Sequence, residues 1–330
     1  MKTLRIILAA TLLGVPALNA QLVADGATNT LSNVTTNIPG SVTVGANGSF
    51  TLLVLSNNCL VTNSGVGAIG QNTTAKSNEV RLVSATARWL MGGQLFVGNS
   101  GSFNRLAVNN GAQVTNSLGT IGNSISASNN TAVVSGAGSF WNNQSDLYVG
   151  QLGGGNRLEV SGGAQVANSQ GAMGNSVSAS NNIAVVEGSG SLWNNQLDLY
   201  VGQSGRGNRL DVNNGATVAA SNLIVGFQSS STNNRVVVDG GTLRVTNIAG
   251  NGALEVRRGT NVLNAGLIEA DSVRARTVGP QGILELTAAP SRQGAAGSPT
   301  HPTSASAMAS VRPPWCSPAT VSTTSPESRS

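Results

Sequence analysis

Two pairs of acidic residues recur at a spacing of 52 residues: Asp146 with Asp198, and Glu159 with Asp211. Glycoside hydrolases place two carboxyl groups about 5–5.5 Å or 6.5–9.5 Å apart. If 52 residues correspond to two layers of a stacked sheet, each pair lies about 9.6 Å apart. Both members of a pair have equivalent surroundings, so nothing separates their pKa values into an acid and a base. We therefore predict no catalytic residues and no enzyme activity.

Other reactive side chains are scarce. The chain has one histidine, His301, and two cysteines, Cys59 and Cys316, which do not make a metal-thiolate site or a catalytic triad. Cys59 follows an apolar stretch and is predicted to be buried. The segment 153–159 has the glycines of calcium-binding repeats but lacks their series of acids. We predict no metal site and no cofactor.

The aromatic residues are a second candidate for function. They recur every 52 residues in two series: Trp89, Trp141, Trp193 and Phe96, Tyr148, Tyr200. Each follows a residue expected to point inward, such as Leu192 before Trp193, so strand alternation predicts that both series point outward. Exposed aromatic rows can mark an interaction surface, and one hypothesis is a surface that stacks on sugars. The alternative is a small satellite cluster, in which two extra residues of these coils fold over the tryptophans.

These aromatic residues belong to a repeated sequence unit, and the position that recurs most regularly in this unit is an asparagine. It recurs every 26 residues, at Asn78, Asn104, Asn130, Asn156, Asn182, Asn208 and Asn234. Three short runs of alternating apolar and polar residues follow each asparagine, which is typical of strands with one buried face. Sister units match better at 52 residues, so the full period is a pair of units.

A unit of three short strands cannot bury its apolar face alone, and fixed periods of this length indicate stacked repeats. We therefore predict an all-β fold, a single-stranded parallel β-helix (β-solenoid) of about nine coils between residues 52 and 286. The usual crossover preference favours a right-handed helix. Residues such as Leu158, Val160, Ala164 and Val166 are expected to point inward.

The repeated asparagines are predicted to be structural. Asn and Gly accept left-handed backbone conformations at turns, and identical amides can pass hydrogen bonds along a stack. The seven asparagines should therefore form a ladder. A second ladder is expected at Asn116, Asn142, Asn168 and Asn194.

Two units, 130–150 and 182–202, contain an asparagine, a Val-x-Gly-x-Gly-Ser segment, a Trp and a closing Leu-Tyr-Val-Gly. This pattern resembles the type V secretion and PEP-CTERM-associated repeats, which occur beside autotransporter-associated β-strand repeats. The resemblance covers about residues 52–286. It implies a surface-displayed or secreted β-helical passenger of a Gram-negative-type bacterium. The chain departs from the pattern at its end, where neither a translocator barrel nor a Pro-Glu-Pro sorting motif is visible.

The organisation along the chain follows from composition. Residues 1–20 have the basic start, apolar run and small-residue end of a secretory signal, so we expect export and no transmembrane segment in the mature chain. Residues 21–51 are expected to form a cap or degenerate coil, and 52–289 the solenoid, which frays after Asn234 and resumes at residues 252–256. Residues 290–330 are rich in Ser, Thr and Pro. They are either a disordered tail or the product of a frameshift.

The net charge of +5 does not indicate nucleic-acid binding. Residues 21–289 hold 13 basic and 12 acidic side chains, a net of +1, which gives no electrostatic footprint for nucleic acid. The expected function is that of a structural or adhesive surface protein. Its expected partners are cell-surface or extracellular polysaccharide, or other surface proteins. The alternatives are a carbohydrate-binding module and, less favoured, a remnant of a β-helical lyase or hydrolase.

Overall fold

The computed structural model describes residues 18–20, 22–275, 283–286, 307–311 and 319–322. In these residues the regular elements are all strands. The first sixteen are β1 (Leu18–Ala20), β2 (Thr28–Leu31), β3 (Thr35–Ile38), β4 (Gly40–Val44), β5 (Leu52–Leu55), β6 (Leu60–Asn63), β7 (Gly67–Ile69), β8 (Glu79–Leu82), β9 (Arg88–Met91), β10 (Leu95–Val97), β11 (Arg105–Asn109), β12 (Gln113–Asn116), β13 (Gly119–Ile121), β14 (Thr131–Ser135), β15 (Phe140–Asn143) and β16 (Leu147–Val149). The others are β17 (Arg157–Ser161), β18 (Gln165–Asn168), β19 (Gly171–Met173), β20 (Ile183–Glu187), β21 (Leu192–Asn195), β22 (Asp198–Val201), β23 (Arg209–Asn213), β24 (Thr217–Ala220), β25 (Asn222–Val225), β26 (Asn234–Val245), β27 (Ala253–Val256), β28 (Gly259–Ala270), β29 (Ser272–Ala275), β30 (Ile283–Leu286), β31 (Ala307–Val311) and β32 (Ala319–Ser322).

The strands stack in three parallel columns, and each coil contributes one strand to each column. The first column runs from β2 through β5, β8 and their successors to β23, the second from β3 to β24, and the third from β1 through β4 and β7 to β29. The long strands β26 and β28 each serve the first and second columns in turn. Beyond them β30 and β31 extend these two columns, and β32 pairs with β31 in the antiparallel sense. The molecule is thus a parallel β-solenoid of about ten turns, with coils about 26 residues apart, as the repeat predicted.

The interior is filled by the inward row of each strand. Leu158, Val160, Ala164 and Val166 are all fully buried, which confirms their predicted orientation. Each stacks on equivalents in the coils on either side, such as Leu106, Ala132 and Leu158 in the first column. Cys59 is also buried in this core, and burial raises the pKa of its thiol.

The two ends of the described stack differ from the predicted boundaries. Residues 28–44 form a complete three-strand coil, so the stack begins before residue 52. The predicted fraying after Asn234 is wrong. The run at Leu254 and Val256 is the third-column strand of a complete coil, paired with Leu223 and Val225, and not the point at which an interrupted repeat resumes.

Some residues that the sequence singles out lie in segments that the structure does not describe. His301, Trp315 and Cys316, together with residues 1–17 of the predicted signal, lie outside the described residues. Within the part that the structure describes, no helix has the length and apolar character needed to cross a bilayer. The handedness of the coil stays a prediction.

Candidate functional site

The seven repeated asparagines form a buried ladder at the corner where each coil enters the first column. The side-chain oxygen of Asn104 accepts hydrogen bonds from the backbone N–H and the Nδ2 of Asn78, at 2.9 and 3.0 Å. The same double contact links each asparagine to the next as far as Asn208 and Asn234, at 2.8 and 3.1 Å. All seven are buried. The ladder therefore satisfies a backbone donor and an amide donor at each step inside the core.

The turn that precedes each ladder residue explains why asparagine and glycine recur there. These return turns, which connect the third column to the next coil, are residues 45–50, 70–77, 98–103, 122–129, 150–155, 174–181, 202–207 and 226–233. Gly98 has a φ of +79°, and a Cβ at this position would overlap the amide of Asn130. A side chain at Gly98 would therefore displace the ladder, and the sequence pattern Gly…Asn reflects one packing unit.

The predicted outward orientation of the tryptophans is wrong. Trp89, Trp141 and Trp193 are 1%, 0% and 0% exposed. The strand register pairs Trp141 with Val114, and Val114 points inward. The neighbouring residues Phe140 and Leu192 are the ones on the outer face. The tryptophans are core residues, so neither an outer tryptophan surface for sugars nor a satellite cluster over them exists.

Each tryptophan is held by a buried asparagine of the preceding coil. Trp141 donates from Nε1 to the side-chain oxygen of Asn116 at 2.7 Å, and Asn116 donates from Nδ2 to Asn143 at 2.8 Å. Trp193 and Asn168 repeat the contact at 2.8 Å. Trp89 does the same with Asn63 at 2.9 Å. A buried indole N–H needs such a partner, and the second set of asparagines supplies it.

The second asparagine ladder is therefore partly wrong as predicted. Asn116 and Asn168 are buried, as expected, but Asn142 and Asn194 lie on the outer side of the same strands. Their neighbours Asn143 and Asn195 occupy the inner positions. Asn116 therefore pairs with Asn143, and Asn168 pairs with Asn195. The two pairs are separate, because Asn143 donates to the backbone oxygen of Ala167 at 3.4 Å and not to the next asparagine.

The pairing of coils has a packing cause. In the third column the inward position alternates between leucine and glycine, as in Leu95, Gly119, Leu147 and Gly171. A Cβ at Gly119 would overlap Asn143, and one at Gly67 would press on Trp89. Coils with large inward residues thus fill space left by glycine in the preceding coil, which makes 52 residues the true period.

The second aromatic series does lie outside. Phe96, Tyr148 and Tyr200 are half-buried on the outer row of the third column. Between them, in register, lie Thr120 and Ala172, which are buried although their strand positions face outward. We call the row formed by these five residues the aromatic face. Its rings recur every second coil, about 9.6 Å apart.

Carboxylates accompany the two tyrosines of the aromatic face. The Tyr148 hydroxyl donates to Asp146 Oδ2 at 3.3 Å, and the Tyr200 hydroxyl donates to Asp198 Oδ2 at 3.0 Å. Burial and then the nearby Asp146 carboxylate raise the pKa of Tyr148. Burial and then the hydrogen bond to Asp198 raise the pKa of Tyr200 to about 12. The carboxylates therefore orient neutral phenols at neutral pH.

The aromatic face ends in a cluster that the sequence analysis missed. The ring of Phe227 packs edge-on against Tyr200, with centroids 5.2 Å apart. The Arg257 guanidinium lies 4.7 Å from the Phe227 centroid and pairs with Glu255 at 2.8 Å. Phe227 departs from the repeat, because it occupies a return-turn position held elsewhere by Asn or Gln, or by Ala46 in the first turn. That departure was the available signal.

The acidic residues of the two 52-residue pairs each have a side-chain partner. Glu159 pairs with Arg157 and Asp211 with Arg209, in both cases within one strand of the first column. Asp146 and Asp198 are engaged by tyrosine hydroxyls, and Asp198 also accepts from Asn222 Nδ2 at 2.8 Å. Each pair thus shares one type of partner, an arginine on its own strand or a tyrosine hydroxyl, which is the symmetry expected of a duplicated repeat. Among the described residues, no group of three His, Cys, Asp or Glu side chains is placed to hold a metal ion.

Glu79 forms ion pairs with two arginines. It contacts Arg81 at 2.7 Å and Arg105 of the next coil at 2.6 Å. Burial raises the pKa of Glu79, but the hydrogen bonds and charges of the two arginines outweigh burial, so the net direction is downward. This carboxylate is a fixed ion-pair partner that ties two coils together.

Comparison of the chain with models of protein families, with curated proteins and with solved structures finds no match.

Proposed function

We propose that this chain is an exported, non-catalytic β-solenoid rod that serves as a structural or adhesive element at the cell surface or outside the cell. The observation that carries the proposal is the asparagine ladder, which satisfies the same corner of every coil from Asn78 to Asn234. An interior that is fixed by repetition leaves the outer rows free to vary, which suits an extended display surface.

The sequence supports this proposal in two ways. The leader-like residues 1–20 favour export. The units 130–150 and 182–202 resemble type V secretion and PEP-CTERM-associated repeats, which favours a passenger of a Gram-negative-type bacterium, with polysaccharide or other surface proteins as partners. The matched, ion-paired or tyrosine-bound acids favour a non-catalytic role.

Export is tested by expressing the full chain with its own leader in a Gram-negative host. We expect the chain outside the cytoplasm and accessible to protease on intact cells or in the medium. A chain lacking residues 1–20 is the control and should stay protected in the cytoplasm. Retention of the full chain in the cytoplasm would contradict export.

The structural role is tested on the purified chain. Beads coated with the protein should attach to producing cells, and pectin, alginate and similar polymers should stay intact during incubation with it. Product release that is lost in Asp146→Asn/Asp198→Asn would instead show a β-helical enzyme.

A second candidate function is carbohydrate binding by the aromatic face. Half-buried rings at a regular pitch of about 9.6 Å, each tyrosine beside a carboxylate, provide stacking surfaces together with hydrogen-bond acceptors for sugar hydroxyls. The pitch is comparable with a disaccharide unit of an extended β-linked chain. The tryptophans have no part in this version of the hypothesis, since they are buried.

A glycan array followed by affinity electrophoresis tests this candidate. Tyr148→Ala/Tyr200→Ala should abolish retention by any polysaccharide that binds the wild type. The matched control is Phe140→Ala, which removes a half-buried outer ring from the second column instead. Equal retention of the wild type and the double variant would exclude the aromatic face.

A further inference from the structure

A row of exposed apolar side chains runs along the return turns. Phe50 is 75% exposed, Ile125 71% and Val177 65%, with Phe103 and Leu152 also exposed. They lie on successive or alternate coils of one edge, which we call the apolar edge. Single exposed apolar residues are ordinary, but exposed apolar residues on four consecutive turns, from Phe103 to Val177, mark an interaction surface.

The two phenylalanines of the apolar edge occupy unfavourable backbone positions. Phe50 and Phe103 both have a φ of 60°, which is a genuine outlier for a bulky residue. The corresponding position in other coils is filled by Asn129, Asn181 and Asn233, with φ values of 55°, 57° and 58°, or by Ser77, Gly155 and Gly207, with φ values of 55°, 70° and 67°. Folding alone therefore favours asparagine, glycine or another small residue here. An exposed aromatic ring held in this conformation is a cost without a packing benefit, and such strain gathers at functional positions.

Most of the charged groups described on this edge are basic. Lys76 and Arg206, both exposed, are the charged residues in the sequence of the return turns. They flank the apolar stretch from Phe103 to Val177. Just outside the return turns, the Arg258 guanidinium binds the backbone oxygen of Phe227 at 3.0 Å and adds a third basic group near one end. At the other end the Asp25 carboxylate accepts from the backbone N–H groups of Ala46, Asn47 and Gly48 at 2.8–3.0 Å.

We propose that the apolar edge docks the rod on an anionic lipid surface. Apolar side chains that enter the headgroup boundary, with flanking basic groups against anionic headgroups, are the combination that binds a protein to such a surface. The turns stack in a line along the rod axis, so a rod lying flat brings the return turns of successive coils to the same surface. Phe103 and Val177 lie three coils apart, about 14 Å.

A second copy of the chain fits this edge less well. Antiparallel pairing about a twofold axis between Ile125 and Leu152 would place Lys76 opposite Arg206 of the partner. Parallel pairing would place each basic group opposite its own equivalent, because a twofold interface repeats the same patch on both sides. Both arrangements oppose like charges, whereas an anionic surface attracts them.

The test measures co-sedimentation of the purified full chain with vesicles of phosphatidylcholine and of mixed phosphatidylcholine and phosphatidylglycerol. We expect binding to the mixed vesicles and weaker binding to the neutral ones. The edge variant carries Phe50→Asn, Phe103→Asn, Ile125→Ser and Val177→Ser. These replacements follow the residues that sister turns carry, Asn129 for the phenylalanines and Ser229 for the aliphatic positions, so the fold should be kept. Binding should fall by about tenfold or more.

Two further variants separate the components. Lys76→Gln and Arg206→Gln should each lower binding to the mixed vesicles about fivefold and leave binding to neutral vesicles unchanged. Leu197→Ser removes a side chain that is 57% exposed on another corner and should change nothing. Absence of vesicle binding by the wild type, or equal binding by the edge variant, would overturn the proposal. A dimer seen by analytical ultracentrifugation and dissolved by the edge substitutions would assign the edge to copy–copy contact instead.

Discussion

The coils between residues 79 and 233 and the last coils, residues 234–275, build the same three-column cross-section in different ways. In the first region, which we call the laddered stack, Asn ladder residues and Trp–Asn pairs fix the corners and the interior. In the last coils Leu243 and Ile268 occupy the tryptophan position. Gly259 stands where the ladder would continue after Asn234. The three columns therefore continue through coils that lack the Trp–Asn pairs and in which the asparagine ladder has ended.

The corners show the same contrast. In the laddered stack the first and second columns are separated by a turn, as between Asn109 and Gln113. In the last coils β26 and β28 run through this corner as continuous strands, with a register irregularity next to Val238. At the next corner, between the second and third columns, the buried Asp271 carboxylate accepts from Asn247 and Gly252 backbone N–H groups at 3.1 and 2.9 Å. This side chain fixes the loop that joins β26 to β27.

The largest difference is expected at the tryptophan position. Trp141→Ala should lower the free energy of unfolding by about 4–6 kcal/mol, since it leaves a cavity and also leaves the Asn116 oxygen without its indole donor. Leu243→Ala, at the equivalent position in the last coils, creates a cavity without an orphaned polar group and should cost about 2–4 kcal/mol. Urea unfolding followed by circular dichroism measures both.

The adjacent outer residue provides the control for this pair. Phe140→Ala should cost less than about 1 kcal/mol, because that ring is half-buried on the surface. Equal losses for Trp141→Ala and Phe140→Ala would contradict the inward orientation of the tryptophan.

The tryptophan orientation also shows where sequence reasoning reached its limit. Alternation within one strand depends on choosing the first inward residue, and a shift of one residue reverses both faces. Leu192 is expected to point inward, and the 26-residue period supports this choice, since it aligns Leu192 with Val166 and Val218. The strand register instead pairs Trp193 with both valines. The tryptophan coil has one extra residue between its ladder asparagine and the second column, so a fixed period misaligns this strand by one residue.

The repeat and the ladder could be predicted because they depend on spacing alone. Asn156 and its six equivalents keep both residue type and interval, and the hydrogen bonds follow from that repetition. The cluster around Phe227 and the continuous strand β26 could not, because each depends on a departure from the repeat. A residue that breaks the repeat only once has no equivalent in another coil, so its structural role cannot be inferred by comparison between coils.

The ladder itself gives the next largest effect. Asn156→Ala removes the oxygen that accepts from the backbone N–H and Nδ2 of Asn130 at 2.9 and 3.1 Å, and two buried donors lose their partner. We expect a loss of about 3–5 kcal/mol in unfolding free energy.

Asn261 in the last coils is also buried, but its amide has no hydrogen-bond partner among the described residues. Asn261→Leu should therefore be neutral or stabilising by about 1 kcal/mol. Destabilisation by both replacements to the same extent in urea would show that the last coils also rely on a polar ladder.

Glycine replacements test the close approach of turn and ladder. Gly98→Ala should cost about 2–4 kcal/mol, because it combines a φ of +79° with overlap against Asn130. Gly250 in the last coils has a similar φ of +67° with nothing within 4 Å of its Cβ position. Gly250→Ala should therefore cost only about 1 kcal/mol, the backbone component alone. The difference in thermal midpoint between the two variants measures the cost of the overlap between the new Cβ at residue 98 and Asn130. Equal midpoints would show that this overlap costs nothing.

The smallest effect concerns Tyr200, which lies where the two regions meet. Its pKa is raised to about 12 in the folded chain, against about 10 in an unfolded one. The stability linked to this phenol is therefore fully present below pH 10 and is lost as the pH rises from about 10 towards 12.

Tyr148 and Tyr200 are the two tyrosines of the chain, so ultraviolet titration of tyrosinate reports on these groups alone. Asp198→Asn should lower the later titration midpoint, because it removes the carboxylate that disfavours the phenolate. Asp211→Asn, whose carboxylate pairs with Arg209 on the first column, should leave both midpoints in place. A midpoint that does not respond to Asp198→Asn would leave burial as the whole cause of the shift and would remove the carboxylate from the proposed sugar-binding surface.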